Sequence, residues 1–216
     1  MTIFEQLSNN KGTVSSALGK ALALQVLQKN QMDILLEYIS LAFYEPSSPN
    51  SRNIRAGAAK VVEIVAEKRP EWVAPHLEKL LPALSVQEPQ TRWAIIRVMG
   101  FCARLNGPVA REAISFAAKY LHEKEGLCIA SSVDLFLGDL GAISKEDAQI
   151  TFPLLQQSMD NLLENEQDWL LEAFFKLFRN LDQAGQTEVQ KFAERWQYSS
   201  RKTTQQRARR ILGLKP

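Results

Sequence analysis

The sequence predicts an all-α protein made of about five helical hairpins closed by a terminal helix. Two observations carry that expectation. Apolar residues recur at helical spacing along nearly the whole chain, with no sustained alternation at period two. A phrase of about ten residues also returns: IRAGAAKVVE from Ile54 is matched 37 residues later by TRWAIIRVMG from Thr91, with arginine, small and apolar residues in corresponding places.

Taken in order, the stripes place helices near 13–28, 30–43, 52–68, 70–84, 90–104, 108–122, 126–140, 145–161, 167–182, 187–197 and 204–213. Val73, Leu77, Leu80, Leu81 and Leu84 lie on one face of the fourth. Val109, Phe116, Ala117, Tyr120 and Leu121 do the same for the sixth, and Phe152, Leu155, Met159 and Leu162 for the eighth. Phe174, Leu177, Phe178 and Leu181 mark the ninth. Pro70, Pro89 and Pro108 fall at helix starts, where a missing N–H costs little. Ser144 with Asp147 reads as a capped helix opening, and Thr203 or Thr204 as the start of the last helix. The links are short, so neighbouring helices should be antiparallel. The exception is YEPSSPNS at 44–51, read as a solvated connection.

The repeat is regular enough to measure. Gly19, Gly100, Gly138 and Gly213 each follow Leu or Met, and Glu63 and Arg179 hold the equivalent places, giving steps of 44, 37, 38, 41 and 34 residues. Eight residues before three of these markers stand Lys11, Arg55 and Arg92; Ala130 and Leu171 replace the base in the others. A hairpin of this size cannot bury its apolar stripe alone, so neighbours must stack and share a core. Gly100 and Gly138 are expected to let helices approach closely, and Arg55 and Arg92 to brace adjacent units.

IRAGAAKVVEIV, TRWAIIRVMGFC and IASSVDLFLGDL in first helices, with WVAPHLEKLLPAL in a second, resemble the HEAT-repeat family, the irregular armadillo-type α-solenoids. The resemblance implies a right-handed α-α superhelix forming one domain over 1–216. Its repeats would lie at 10–43, 52–84, 90–122, 126–161 and 167–198, with the terminal helix at 204–213. It also implies that second helices line a concave binding surface. Removing the apolar stripes from them leaves Glu78, Lys79, Arg111, Ser115, Lys119, Gln149, Gln156, Asp160, Lys191 and Arg195. That polar, mixed-sign row suits an extended protein or peptide better than a small-molecule pocket.

Assembled chemistry is sparse. His76 and His122 lie on different helices without metal-ligand spacing, and no phosphate-cradling glycine motif is present. Cys102 and Cys128 fall in apolar helical patterns and are expected to be buried, inert thiols. Trp72 is the tryptophan expected to be exposed. Asp160, Glu164, Glu166, Asp168 and Glu172 form an acidic cluster, read as a solvated edge in preference to a metal site. No cofactor or metal is expected.

The charge pattern says more. Residues 159–182 hold six acids and two bases, whereas 191–215 hold eight bases against Glu194 alone. Arg201, Lys202, Arg207, Arg209 and Arg210 in this cap are candidate phosphate contacts. The same bases are also read as a polar end for the stack, or as partners of the acidic edge. With a net charge of +2, no apolar run of membrane length and no leader-like start, the expectation is a cytoplasmic monomer that meets a protein partner and no membrane.

An alternative is a DNA reader or enzyme on the same architecture. DWLLEAFFKLFRNLDQAG, EVQKFAERW and RRILG are similar to the closing helices of the HEAT-like alkylpurine DNA glycosylases. That family's catalytic stretch carries a tryptophan shortly before an acid. The matching helix here, IASSVDLFLGDL, has Asp134 without the aromatic, so the resemblance implies a divergent relative at most. The favoured expectation is a non-catalytic scaffold or adaptor.

Overall fold

The computed structural model describes residues 2–8, 17–45, 50–123 and 125–214, all helix, turn or link with no strand among them. Lys11, the start of the first expected helix, residues 46–49 of the proline-rich link and Lys215 lie outside the described residues. The chain divides into two compact units, Met1–Ala113 and Ile114–Pro216.

In the first unit, α1 (Ile3–Ser8) precedes two hairpins and the start of a third. The hairpins are α2 (Ala17–Lys29) with α3 (Met32–Leu41), and α4 (Ser51–Lys68) with α5 (Pro70–Val73) continued by a 3₁₀ stretch, Ala74–Ser85. α6 (Pro89–Cys102) and α7 (Gly107–Glu112) follow. First helices lie side by side in chain order: α2 touches α4 and α4 touches α6. Ile54, Ala58, Val61, Val62 and Val65 of α4 and Ile95, Ile96, Val98 and Met99 of α6 are wholly buried between them. The small and branched residues of IRAGAAKVVE are thus spent on packing.

The second helix of that repeat departs from the expected α-helix over 70–84. Pro75 and Pro82 each lack an N–H, which interrupts the i to i−4 ladder, and the backbone tightens into 3₁₀ turns. Leu77, Leu80 and Leu84 still face the core. α1 was not expected at all. It packs on α4, with Leu7 buried and its side chain over Gly57, where an added Cβ would come within 2.6 Å of a leucine methyl.

The second unit holds α8 (Ile114–Glu123), α9 (Leu127–Gly141), α10 (Lys145–Asp160), α11 (Gln167–Leu177), α12 (Gln183–Trp196) and α13 (Lys202–Leu212), with a 3₁₀ turn at Phe178–Asn180. α9, α11 and α13 again lie side by side in chain order, while α10 packs on α9 and α12 on α13. Ser144 caps α10 as expected, accepting from the Asp147 N–H at 3.0 Å. α12 begins earlier than expected because Asp182 accepts from the Gly185 N–H at 2.8 Å. Phe174, Phe192 and Trp196 form a chain of edge-to-face rings through the interior.

Side-chain bonds within each unit span one repeat. Asn106 donates to the Ala74 carbonyl at 3.0 Å, 32 residues away, and Asn180 to the Gly141 carbonyl at 2.9 Å, 39 residues away. Arg55 holds Glu88 through two N–H donors at 2.7 and 2.8 Å and also donates to the Tyr44 carbonyl at 2.9 Å. The repeat arginine therefore ties α4 to the residue just before α6. Arg92 is buried and donates to the Gln87 carbonyl at 3.3 Å.

Two expectations about burial need correction. Cys128 is exposed, because the second residue of α9 falls on the outer side of the helix. Cys102 is buried as expected, and burial pushes its thiol up to about 12. Trp72 is buried under α4 and α6, with Arg69 stacked 4.5 Å from its ring centre, whereas Trp169 is exposed.

Candidate functional site

Three features of the surface and interior bear on function. The first is the expected binding row. In the first unit Lys79 and Arg111 are exposed. In the second, Ser115, Lys119, Gln149, Lys191 and Arg195 are exposed as well. Gln156 is half-buried and donates to Glu188 at 2.8 Å, so it bridges α10 to α12. Lys119 lies 3.7 Å from Glu123 on its own helix, a solvent-screened pair of small worth.

The second is the basic cap on α13, which the structure brings against the acids of α11. Arg201 pairs with Asp168 at 2.9 Å and also donates to Asn165. Arg207 reaches Glu172 at 3.4 Å, donates to the Asp168 carbonyl at 3.0 Å and lies 5.1 Å from the Trp169 ring centre. Arg210 pairs with Glu172 at 3.1 Å and stacks on Phe175 at 3.8 Å. Thr204 is wholly buried and donates to Asp168 at 2.5 Å. Asp168 is therefore a buried anchor, not part of a solvated edge. Lys202 and Arg209 are the members of the cap that stay exposed without a carboxylate partner. Three of these five bases are drawn onto two carboxylates, which leaves fewer of them free to follow phosphates.

The third feature was hidden from sequence reading. A small cleft lies among α8, α9, α10 and the link that follows α10. Its floor includes Tyr120, Ser158 and Glu166, all buried, and its rim includes Glu125, Gln157 and Asn161, all exposed. Behind the floor sits Asp134, with no exposure at all. Its carboxyl lies beside the buried Ser158 hydroxyl and Glu166, though neither meets it in ordinary hydrogen-bond geometry. Glu166 accepts from the Leu163 N–H at 2.6 Å and lies against Asp134.

Two facing carboxylates offer only acceptors, so a proton on one supplies the missing donor. Burial, reinforced by the Glu166 charge, holds the Asp134 carboxyl well above the usual range. Burial also raises Glu166, against the pull of the Leu163 N–H and of Asp134. The nearby cations are engaged elsewhere: Lys176 on α11 binds Asp139 at 2.6 Å, and Lys119 lies beside Glu123. Among the described residues, no group of three or more histidine, cysteine or acidic side chains is placed to hold a metal. Glu166 had been read with the solvated acids; it is buried because the turn after α10 folds it inward to cap its own link.

A stability consequence follows from the raised carboxyl. An acid whose folded value lies above its unfolded one stabilises the fold at low pH, and that contribution is lost as pH rises through the folded value. Asp134→Asn keeps the shape and removes the titration. The variant is expected to melt higher than the parent at pH 8, with the difference shrinking toward pH 4; thermal melts at the two pH values check it. An equal effect at both would show that Asp134 carries no shifted proton.

Asp134 also bears on the glycosylase alternative. Fully enclosed, it offers no atom to solvent in this conformation.

No protein-family model matches the sequence, and no curated protein does. Solved structures do. A designed armadillo repeat protein aligns at a TM-score of 0.62 and 12% identity, covering 97% of both chains. A second, solved in complex with the peptide (KR)4, aligns at 0.64 and 13% identity, covering 97% of this chain and 90% of that one. Computationally designed armadillo repeat proteins for modular peptide recognition align at 0.62 and 14%, again covering 97% of both. The chain thus has the armadillo/HEAT-type helical-repeat fold. No helix among the described residues is long and apolar enough to cross a membrane.

Proposed function

We propose that this chain is a non-catalytic scaffold that holds an extended segment of a protein partner on second helices within a unit. The observation that carries the reading is the fold: at these TM-scores the chain shares its helical-repeat architecture with proteins designed to recognise peptides. Supporting it, Ser115, Lys119, Gln149, Lys191 and Arg195 of the second unit, and Lys79 and Arg111 of the first, offer long polar side chains to solvent. Side chains of that kind can meet the backbone amides and mixed charges of an extended peptide.

Selection of peptide ligands from a random displayed library tests it. Selected peptides are expected to bind the purified protein, and Lys191→Ala with Arg195→Ala to weaken them by about tenfold, or about 1.4 kcal/mol, with little change in melting temperature. Failure to select any ligand, or binding indifferent to every residue of the row, would sink the reading. Binding of duplex DNA that falls steeply with salt and is lost on neutralising Arg207, Arg209 and Arg210 would replace it with a nucleic-acid role. Base release from alkylated duplex that depends on Asp134 would replace it with an enzyme.

A further inference from the structure

The cleft in the second unit has the build of a socket. The cleft is narrow, with a volume of about 30 Å³, which suits one water or one ammonium head. Apolar side chains form the sleeve leading to it, Leu121, Ile129, Ala130 and Leu163. Glu166 and the buried Ser158 hydroxyl line its polar side, next to the enclosed Asp134 carboxyl.

We propose that this cleft takes the side chain of a lysine from the bound partner, its four-carbon stem lying in the apolar sleeve and its ammonium donating to Glu166 and Ser158. The assignment rests on the peptide-scaffold reading and adds the residue type that one position of the peptide must carry. Lysine meets the shape on both counts, being a compact point charge on a flexible apolar stem. The planar guanidinium of arginine is bulkier than an ammonium and suits so small a space less well. A neutral side chain brings no charge to replace the proton that the two carboxyls share.

Several other acids on the surrounding elements are engaged, Asp160 and Glu164 are exposed to solvent and Glu125 stands at the rim, which leaves this pair as the buried acids facing the cleft. Asp147 on α10 accepts from Ser144 at 2.9 Å, Asp139 on α9 holds Lys176, and Asp168 and Glu172 on α11 hold the arginines of the cap. Asp134 and Glu166 have no lysine, arginine or histidine in an ion pair among the described residues. An arriving ammonium favours the ionised pair, so binding releases a proton and strengthens as pH rises.

The n-butylammonium ion is the probe, followed through the backbone amide signals of the full chain, with 1-butanol and n-propylguanidinium as comparisons. Saturable shifts at Ser158, Asn161 and Leu163 are expected with butylammonium, at concentrations on the order of millimolar for so small a ligand. Binding should be several-fold tighter at pH 8 than at pH 5. Glu166→Gln, which keeps an acceptor for the Leu163 N–H, should weaken it at least tenfold. Ala130→Leu, which fills the sleeve without touching charge, should abolish it. Butanol giving the same shifts, Glu166→Gln binding as well as the parent, or no saturation with butylammonium would each overturn the site. A selected peptide bound equally with lysine or norleucine at every position overturns the lysine socket and leaves the scaffold reading intact. Butylammonium binding in a protein for which no peptide ligand can be selected does the reverse.

Discussion

Gly138→Ala is expected to unfold or severely loosen the second unit. Gly138 faces α11 at the point where the two helices cross, and a Cβ there would lie 2.5 Å from the Cα of Ala173 and 2.9 Å from its carbonyl oxygen. Both are backbone atoms, so no rotamer change relieves the overlap, and α9 and α11 must move apart along a face lined by Phe136, Leu137, Phe174 and Leu177. Overpacking of this kind costs about 1–3 kcal/mol and more where backbone must shift. Because α9 and α11 make the most extensive helix pair of the unit, a loss of about 3 kcal/mol or more is expected. Denaturant unfolding monitored by far-ultraviolet circular dichroism measures it. Gly107→Ala is the control, since its Cβ would meet nothing nearer than the Arg111 guanidinium at 3.5 Å, and it should change stability little. A Gly138→Ala protein as stable as the parent would show that the two helices are not in the contact described.

Arg55→Ala should be nearly as damaging, by a different route. The Glu88 side chain is 1% exposed and receives two N–H donors from Arg55 and one O–H from Thr91 at 2.7 Å. Removing the arginine strands a buried carboxylate, which typically costs about 3–5 kcal/mol. Burial raises the Glu88 carboxyl, but the bonds from Arg55 and Thr91 outweigh it and hold the group below its usual range. A depressed acid contributes stability that is present above its unfolded value and lost as pH falls through the folded one. The gap between parent and variant should therefore be full at pH 7 and close below about pH 4. Arg55→Met with Glu88→Leu should recover much of the loss, because two apolar residues in that place strand nothing. A pH-independent gap would mean that Arg55 acts by packing its stem and not through the ion pair.

The architecture was written in the chain. Helical spacing placed nearly every helix, and the 37-residue echo of IRAGAAKVVE in TRWAIIRVMG announced first helices that stack on one another, as α4 and α6 do. The arginine of that echo was read as a brace, and Arg55 is one. Periodicity could carry this because a repeat fold is held by contacts between equivalent positions, so one rule written several times specifies most of the packing. Boundaries were less legible where local chemistry competed with periodicity. Prolines turned 74–85 into 3₁₀ turns, and the Asp182 cap started α12 four residues early.

The sequence by itself determined that this is a helical-repeat protein, because apolar period and repeat length are properties of the chain read along its own axis. Only the tertiary structure decided what its charges do. The acids around Asp168 and the bases of α13 could each have faced solvent or a ligand, and folding pairs them across one repeat. Asp134 and Glu166, 32 residues apart, meet in a buried cleft for the same reason. An acid's role is set by which groups surround it and how little water reaches it. Those neighbours come from different repeats, at spacings that no local pattern records.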